Sequence, residues 1–122
     1  MRNIKALYIS AYICGLAFGA LCAGAPANQG QETFEKRCSG CHGLDSAKEG
    51  PPLRGVFGRQ AGKVKGFVYS DALKAAQFRW DEATLDKWLT DPESVVPETD
   101  MAFRLNDKSD RDKIVEYLKQ LK

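Results

Sequence analysis

Five consecutive residues, Cys38-Ser39-Gly40-Cys41-His42, concentrate the reactive side chains of this chain. Two thiols three positions apart can each add to one vinyl group of a porphyrin, and the imidazole that follows is delivered beneath the iron. C-x-x-C-H is the attachment pattern of c-type haem, and the Ser-Gly spacer keeps the turn compact. Zinc would need four ligands, and the sequence offers no second closely spaced cysteine pair and no histidine besides His42. A thioredoxin-like redox pair belongs in a βαβ setting, which the Pro- and Gly-interrupted sequence that follows does not provide. A Cys38–Cys41 disulfide would close a strained loop and leave His42 without a role. The pattern therefore points to one covalently bound haem c, with Cys38 and Cys41 as thioether residues and His42 as an iron ligand.

A single histidine excludes bis-histidine ligation within one chain. Apart from the initiator, the one methionine is Met101. A thioether is a soft, weakly basic ligand that favours ferrous iron and raises the reduction potential. Pro92 and Pro97 bracket the stretch from Asp91 to Met101, which is expected to be extended rather than helical and able to lie across a flat cofactor. Met101 is the expected second axial ligand. The competing reading is a packing methionine beside an open iron site, which would suit peroxidase or gas-binding chemistry.

The scaffold must present these groups within 122 residues, enough for one domain, of which 43% are hydrophobic and 28% charged. That mixture is globular and excludes a disordered or collagen-like chain. Arg2 and Lys5 precede an uncharged run from Ala6 to Gln31 that ends in small residues, the grammar of a cleavable secretory signal over residues 1–27. Cleavage is expected near Ala27, with Ala23 and Ala25 as neighbouring possibilities, and would remove Cys14 and Cys22. An uncleaved anchor is the alternative, since the run approaches the roughly 20 residues needed to span a bilayer. Gly15, Gly19 and Gly24 dilute the apolar run, and an anchored domain would sit almost on the membrane. The remaining domain, residues 28–122, is small for a core of side chains alone. The whole-chain charge of +2, from 18 basic and 16 acidic residues, falls to zero without Arg2 and Lys5, leaving no nucleic-acid signature.

Local patterns predict an all-α fold of three to five helices. Residues 31–37 form a helix that buries Phe34 and runs into Cys38. Ser70 caps a short helix over Asp71 to Ala76, and Asp81 caps Glu82 to Thr90, where Asp91-Pro92 stops it. Ser109-Asp110-Arg111-Asp112 reads as a capping-box entry to a last helix, with Ile114, Val115, Tyr117, Leu118 and Leu121 on its buried face and Lys119 and Lys122 at its cationic end. Phe67 and Val68 are expected to contribute a short extended pair, without a sheet.

From about Gly30 to Leu121 the chain resembles the class I, mono-haem cytochromes c. The matching stretches are Gly50 to Arg59, Gly66 to Ser70, Trp80 with Thr84-Leu85 and Trp88-Leu89, Asp91-Pro92, and Pro97 to Met101. The resemblance implies a small cytochrome c fold wrapped around one haem, with the first and last helices crossing where Gly30 and Phe34 meet Tyr117. It implies that the Pro51 carbonyl receives the ring N–H of His42, and that Arg59, Tyr69, Trp80 and Thr99 surround the propionates. Trp88 stands where many members have a tyrosine that hydrogen-bonds the methionine sulfur, and Leu73 replaces a polar residue often found nearby. The implied function is that of a soluble, monomeric, periplasmic one-electron carrier between redox proteins, without catalytic residues, small-molecule substrate or nucleic-acid partner. A membrane-held subunit dedicated to one oxidoreductase is the related alternative. Glu98 and Asp100 stand where relatives often carry glycine and lysine. Arg104, Lys108 and Lys48 offer some positive potential but no continuous basic ring, so a weaker, differently patterned docking face is expected.

Overall fold

The computed structural model describes residues 26–122 and contains five helices among them: α1 (Pro26–Arg37), α2 (Asp71–Ala75), α3 (Glu82–Thr90), α4 (Pro92–Val95) and α5 (Lys108–Gln120). The expected signal lies outside the described residues, except that Pro26 and Ala27 open α1. That helix starts five residues earlier than the sequence pattern places it.

The α1–α5 crossing organises the domain. A Cβ built on Gly30 would lie 2.6 Å from the Lys113 carbonyl oxygen and 2.7 Å from Tyr117 Cβ, so only a residue without a side chain permits this approach. Beside it the Phe34 and Tyr117 rings pack with centroids 5.6 Å apart, and Arg37 pairs with Asp110 at 3.1 Å. Ile114 and Leu118 carry the apolar face of α5 into a core shared with Leu85, Trp88 and Leu89 of α3. Arg111, only 8% exposed, ties three segments together. Its Nε donates to Asp86 on α3 at 2.7 Å, and its Nη1 donates to the carbonyls of Leu105 and Asn106, each at 2.9 Å.

Two caps fall where the sequence puts them. Ser70 Oγ accepts from the Leu73 amide at 3.2 Å. Asp81 and Thr84 form a reciprocal capping box at the start of α3. Three local expectations are corrected. The cap of α5 is Asp107, whose carboxylate accepts the Asp110 amide at 3.0 Å, so the helix begins before Ser109 and Lys122 lies beyond its end. Pro92 does not keep the stretch to Met101 wholly extended: it occupies the first turn of α4, where a missing N–H costs nothing, and after an extended Val96 the chain turns again at Pro97 and Glu98. The isolated β-bridge among the described residues joins Gln60 to Arg79, not Phe67 or Val68. It forms because the Trp80 amide donates to the Arg59 carbonyl at 2.9 Å and the Ala61 amide to the Phe78 carbonyl at 3.0 Å.

Gly30→Ala is expected to lower stability by about 1–3 kcal/mol through overpacking of the helix crossing, read as a lower guanidinium midpoint of the holoprotein. An unchanged midpoint would mean that the crossing can open at no cost.

Candidate functional site

The five-residue motif grows directly out of α1. The Cys38 and Ser39 amides donate to the Phe34 carbonyl at 2.7 and 3.1 Å, and the Cys41 and His42 amides donate to the Cys38 carbonyl at 3.1 and 2.9 Å. This turn puts Cys38, Cys41 and His42 on the wall of a cavity of about 330 Å³. Met101, Pro51, Arg59, Tyr69, Trp80 and Thr99 line the same cavity, so all nine residues singled out from sequence converge on one space. Its interior is apolar, with Leu85, Leu89, Ile114 and Leu118 from α3 and α5.

His42 is held on both sides. Its Nδ1 lies 2.9 Å from the Pro51 carbonyl oxygen. A carbonyl only accepts, so the proton sits on Nδ1 and Nε2 retains its lone pair. Burial lowers the imidazole pKa below its ordinary value, partly offset by the bond to Pro51. Gly50 makes room for it: any Cβ there would collide with the imidazole. The family stretch that contains Gly50 carries no signal for this role, because the loop that folds it onto His42 is closed by bonds spanning several residues, such as the Gly50 amide to the Cys41 carbonyl at 2.8 Å.

Met101 is oriented from α3. The Trp88 indole N–H donates to its sulfur at 3.1 Å, and Trp88 is buried and packed edge-on against Trp80 with ring centroids 5.1 Å apart. An indole N–H is a donor only, fixed in the ring plane, so it engages one sulfur lone pair and leaves the other free. The substitution of tryptophan for tyrosine therefore keeps a donor at the sulfur.

At the other end of the cavity, Tyr69 packs edge-on against Phe67 with centroids 4.7 Å apart. Burial raises its phenol pKa, partly offset by the Val64 amide and the charge of Arg59. Arg59 also braces its own loop, donating to the Pro52 carbonyl at 2.9 Å and the Arg54 carbonyl at 3.3 Å. The cysteines differ. Burial, reinforced by Cys41, pushes the Cys38 thiol up to about 11. Exposed Cys41 donates to Glu49 at 3.5 Å, and that bond raises its pKa as well. At the mouth lie Val68, 82% exposed, and Phe103, 40% exposed. The donor set suits a planar, apolar, iron-bearing group with acidic substituents: a nitrogen and a sulfur lone pair, two thiols, greasy walls, and an Arg, Tyr and Trp cluster.

A family model for cytochrome c matches residues 27–122. Cytochrome c2 of Rhodoblastus acidophilus is 44% identical over 104 residues, covering 82% of this chain and 95% of that protein. Cytochrome c2 of Rhodomicrobium vannielii is 39% identical over 122 residues, covering 97% and 95%. Among solved structures, cytochrome cH from Methylobacterium extorquens superposes with a TM-score of 0.71 at 41% identity, covering 76% of this chain and 96% of the other.

Proposed function

Because this chain belongs to the cytochrome c family, electron carriers with one covalently attached c-type haem, we propose that Cys38 and Cys41 form the thioethers and that His42 and Met101 are the axial ligands. The observation that supports this most is the pairing of two prepared donors in one cavity. Pro51 occupies Nδ1 of His42, and Trp88 occupies one lone pair of the Met101 sulfur. Each partner fixes its ligand's orientation and leaves a single lone pair to donate. Bound haem supplies a one-electron Fe(II)/Fe(III) couple. The apolar walls would keep water from that couple, and a thioether serving as ligand together with an imidazole would favour the ferrous state. Arg59, Tyr69, Trp80 and Thr99 would receive the propionates, with the Arg59 guanidinium compensating their charge.

As an electron carrier the protein exchanges electrons with redox partners, and the proposal extends to a monomer acting in the periplasm after removal of residues 1–27. No helix among the described residues is long and apolar enough to cross a membrane. Removal after Ala27 would trim only the first two residues of α1. The docking face is weakly basic: Arg104 is paired with Asp91 at 2.8 Å and Lys108 with Asp112 at 2.7 Å, while Lys48 is bonded to the Ser39 carbonyl. Apolar Val68 and Phe103 at the cavity mouth suit short-range contact better than long-range steering.

Three measurements follow from this site. Native ferrous protein should not bind carbon monoxide at neutral pH, whereas Met101→Ala should bind it and show a potential lower by on the order of 100 mV. An unchanged spectrum in that variant would show another ligand. Trp88→Phe removes the donor that draws electron density from the sulfur, and should shift the ferrous-to-ferric ratio by about threefold to tenfold toward ferric, about 30–60 mV. An unchanged or raised potential would contradict the role given to the indole. Electron-transfer rates with partners should fall only shallowly between 50 and 200 mM salt, roughly the range over which the Debye length shortens from about 14 to 7 Å; a steep fall would reveal a basic docking ring.

A further inference from the structure

Among the described residues, one non-glycine adopts positive φ: Glu98, at φ 66°. It sits three residues before Met101, immediately after Pro97, in the turn that leads from α4 to the sulfur. Proline followed by a positive-φ residue is the order of a type II turn, whose second central position ordinarily takes Gly or Asn. Glutamate there is disfavoured by about fivefold to thirtyfold in population, because its Cβ crowds the following carbonyl. Something must hold the turn, and the structure shows what does. The Glu98 amide donates to Glu93 Oε1 at 3.0 Å. Glu93 lies in the first turn of α4, and α4 is anchored by buried Pro92.

We propose that Glu93 is a positioning residue for Met101: its carboxylate clamps the Glu98 amide and so maintains the left-handed turn from which residues 99–101 enter the cavity. The far end of the segment is held separately, by the Leu105 amide on the Leu89 carbonyl at 2.7 Å and by Arg111. The clamp thus secures the near end alone. Met101 should then leave and return through opening of the 97–98 turn, without unfolding of α3 or α5. The inference rests on the proposal that Met101 ligates the iron.

The test compares Glu93→Ala, Glu93→Gln and Glu98→Gly in the holoprotein. In the ferric form, imidazole displaces an internal ligand at a rate that saturates at the rate of ligand release. Glu93→Ala should raise that limiting rate by about threefold to tenfold, the loss of one exposed hydrogen bond. Glu93→Gln, which retains an acceptor oxygen, should stay within about twofold of the parent. Glu98→Gly should lower the rate by about fivefold or more, and adding Glu93→Ala to it should have a smaller effect than in the parent. In the reduced protein, hydrogen exchange at the Glu98 amide should quicken in Glu93→Ala and not in Glu93→Gln, while the amides of α3 and α5 keep their protection. Imidazole binding that never saturates would overturn Met101 ligation, and exchange at Glu98 would still decide the clamp. A Glu98 amide whose exchange is the same in Glu93→Ala as in the parent would overturn the clamp itself.

Discussion

The 2.9 Å contact between His42 Nδ1 and the Pro51 carbonyl is the constraint around which the rest of the domain is arranged. It is a short-range bond between residues nine apart, yet it can form only if two different things happen. The motif must emerge from α1 as a continuing turn, and the 43–53 loop must fold back over it. The first is secured by the Phe34 and Cys38 carbonyls, which collect the amides of residues 38, 39, 41 and 42. The second is secured by the Leu53 amide on the Gly43 carbonyl at 3.0 Å and the Arg54 amide on the Leu44 carbonyl at 2.9 Å. The Asp45–Arg54 pair at 2.6 Å closes the same loop at its surface. Gly50 then admits the ring.

The Met101 side of the cavity is built by a different logic. No element carries Met101; it hangs on a segment between α4 and α5. Its position is imposed from outside by Trp88 at the sulfur, by Arg111 and Leu89 at the C-terminal anchor, and by the strained turn at Glu98 on the near side. Under the proposed ligation, a methionine positioned by contacts from other elements and a histidine held in its own closed loop would suit a carrier that must keep both through a change of iron charge.

Much of this was legible in the sequence, and the reason is locality. The C-x-x-C-H turn, the Ser70 cap and the Asp81 capping box depend on residues within four positions of one another, so their chemistry can be read in order. The Gly30 approach and the convergence of Arg59, Tyr69, Trp80 and Thr99 came from the family resemblance, since periodicity alone gives no partner for them. Errors arose where two local signals competed. Asp107 and Ser109 are both good caps, and the carboxylate two residues earlier captured the Asp110 amide. Pro92 can end one helix and begin another, and it does both. The Trp88–Met101 contact likewise follows from the resemblance rather than from spacing. Two features had no signal of either kind: the approach of Gly50 to His42 is set by how a loop closes, and the Glu93–Glu98 bond depends on a backbone angle that residue type argues against.

His42 and Met101 are proposed to hold one iron within the cavity that both line. The most direct measurement is the proton spectrum of the reduced, diamagnetic holoprotein carrying a ¹³C-labelled methionine methyl group; Met101 is the sole methionine of residues 26–122. A sulfur on the iron places its methyl over the face of the porphyrin, where the ring current must shift the resonance far upfield of any ordinary methionine methyl. A methyl resonance in the ordinary range, with haem bound and reduced, would contradict the account.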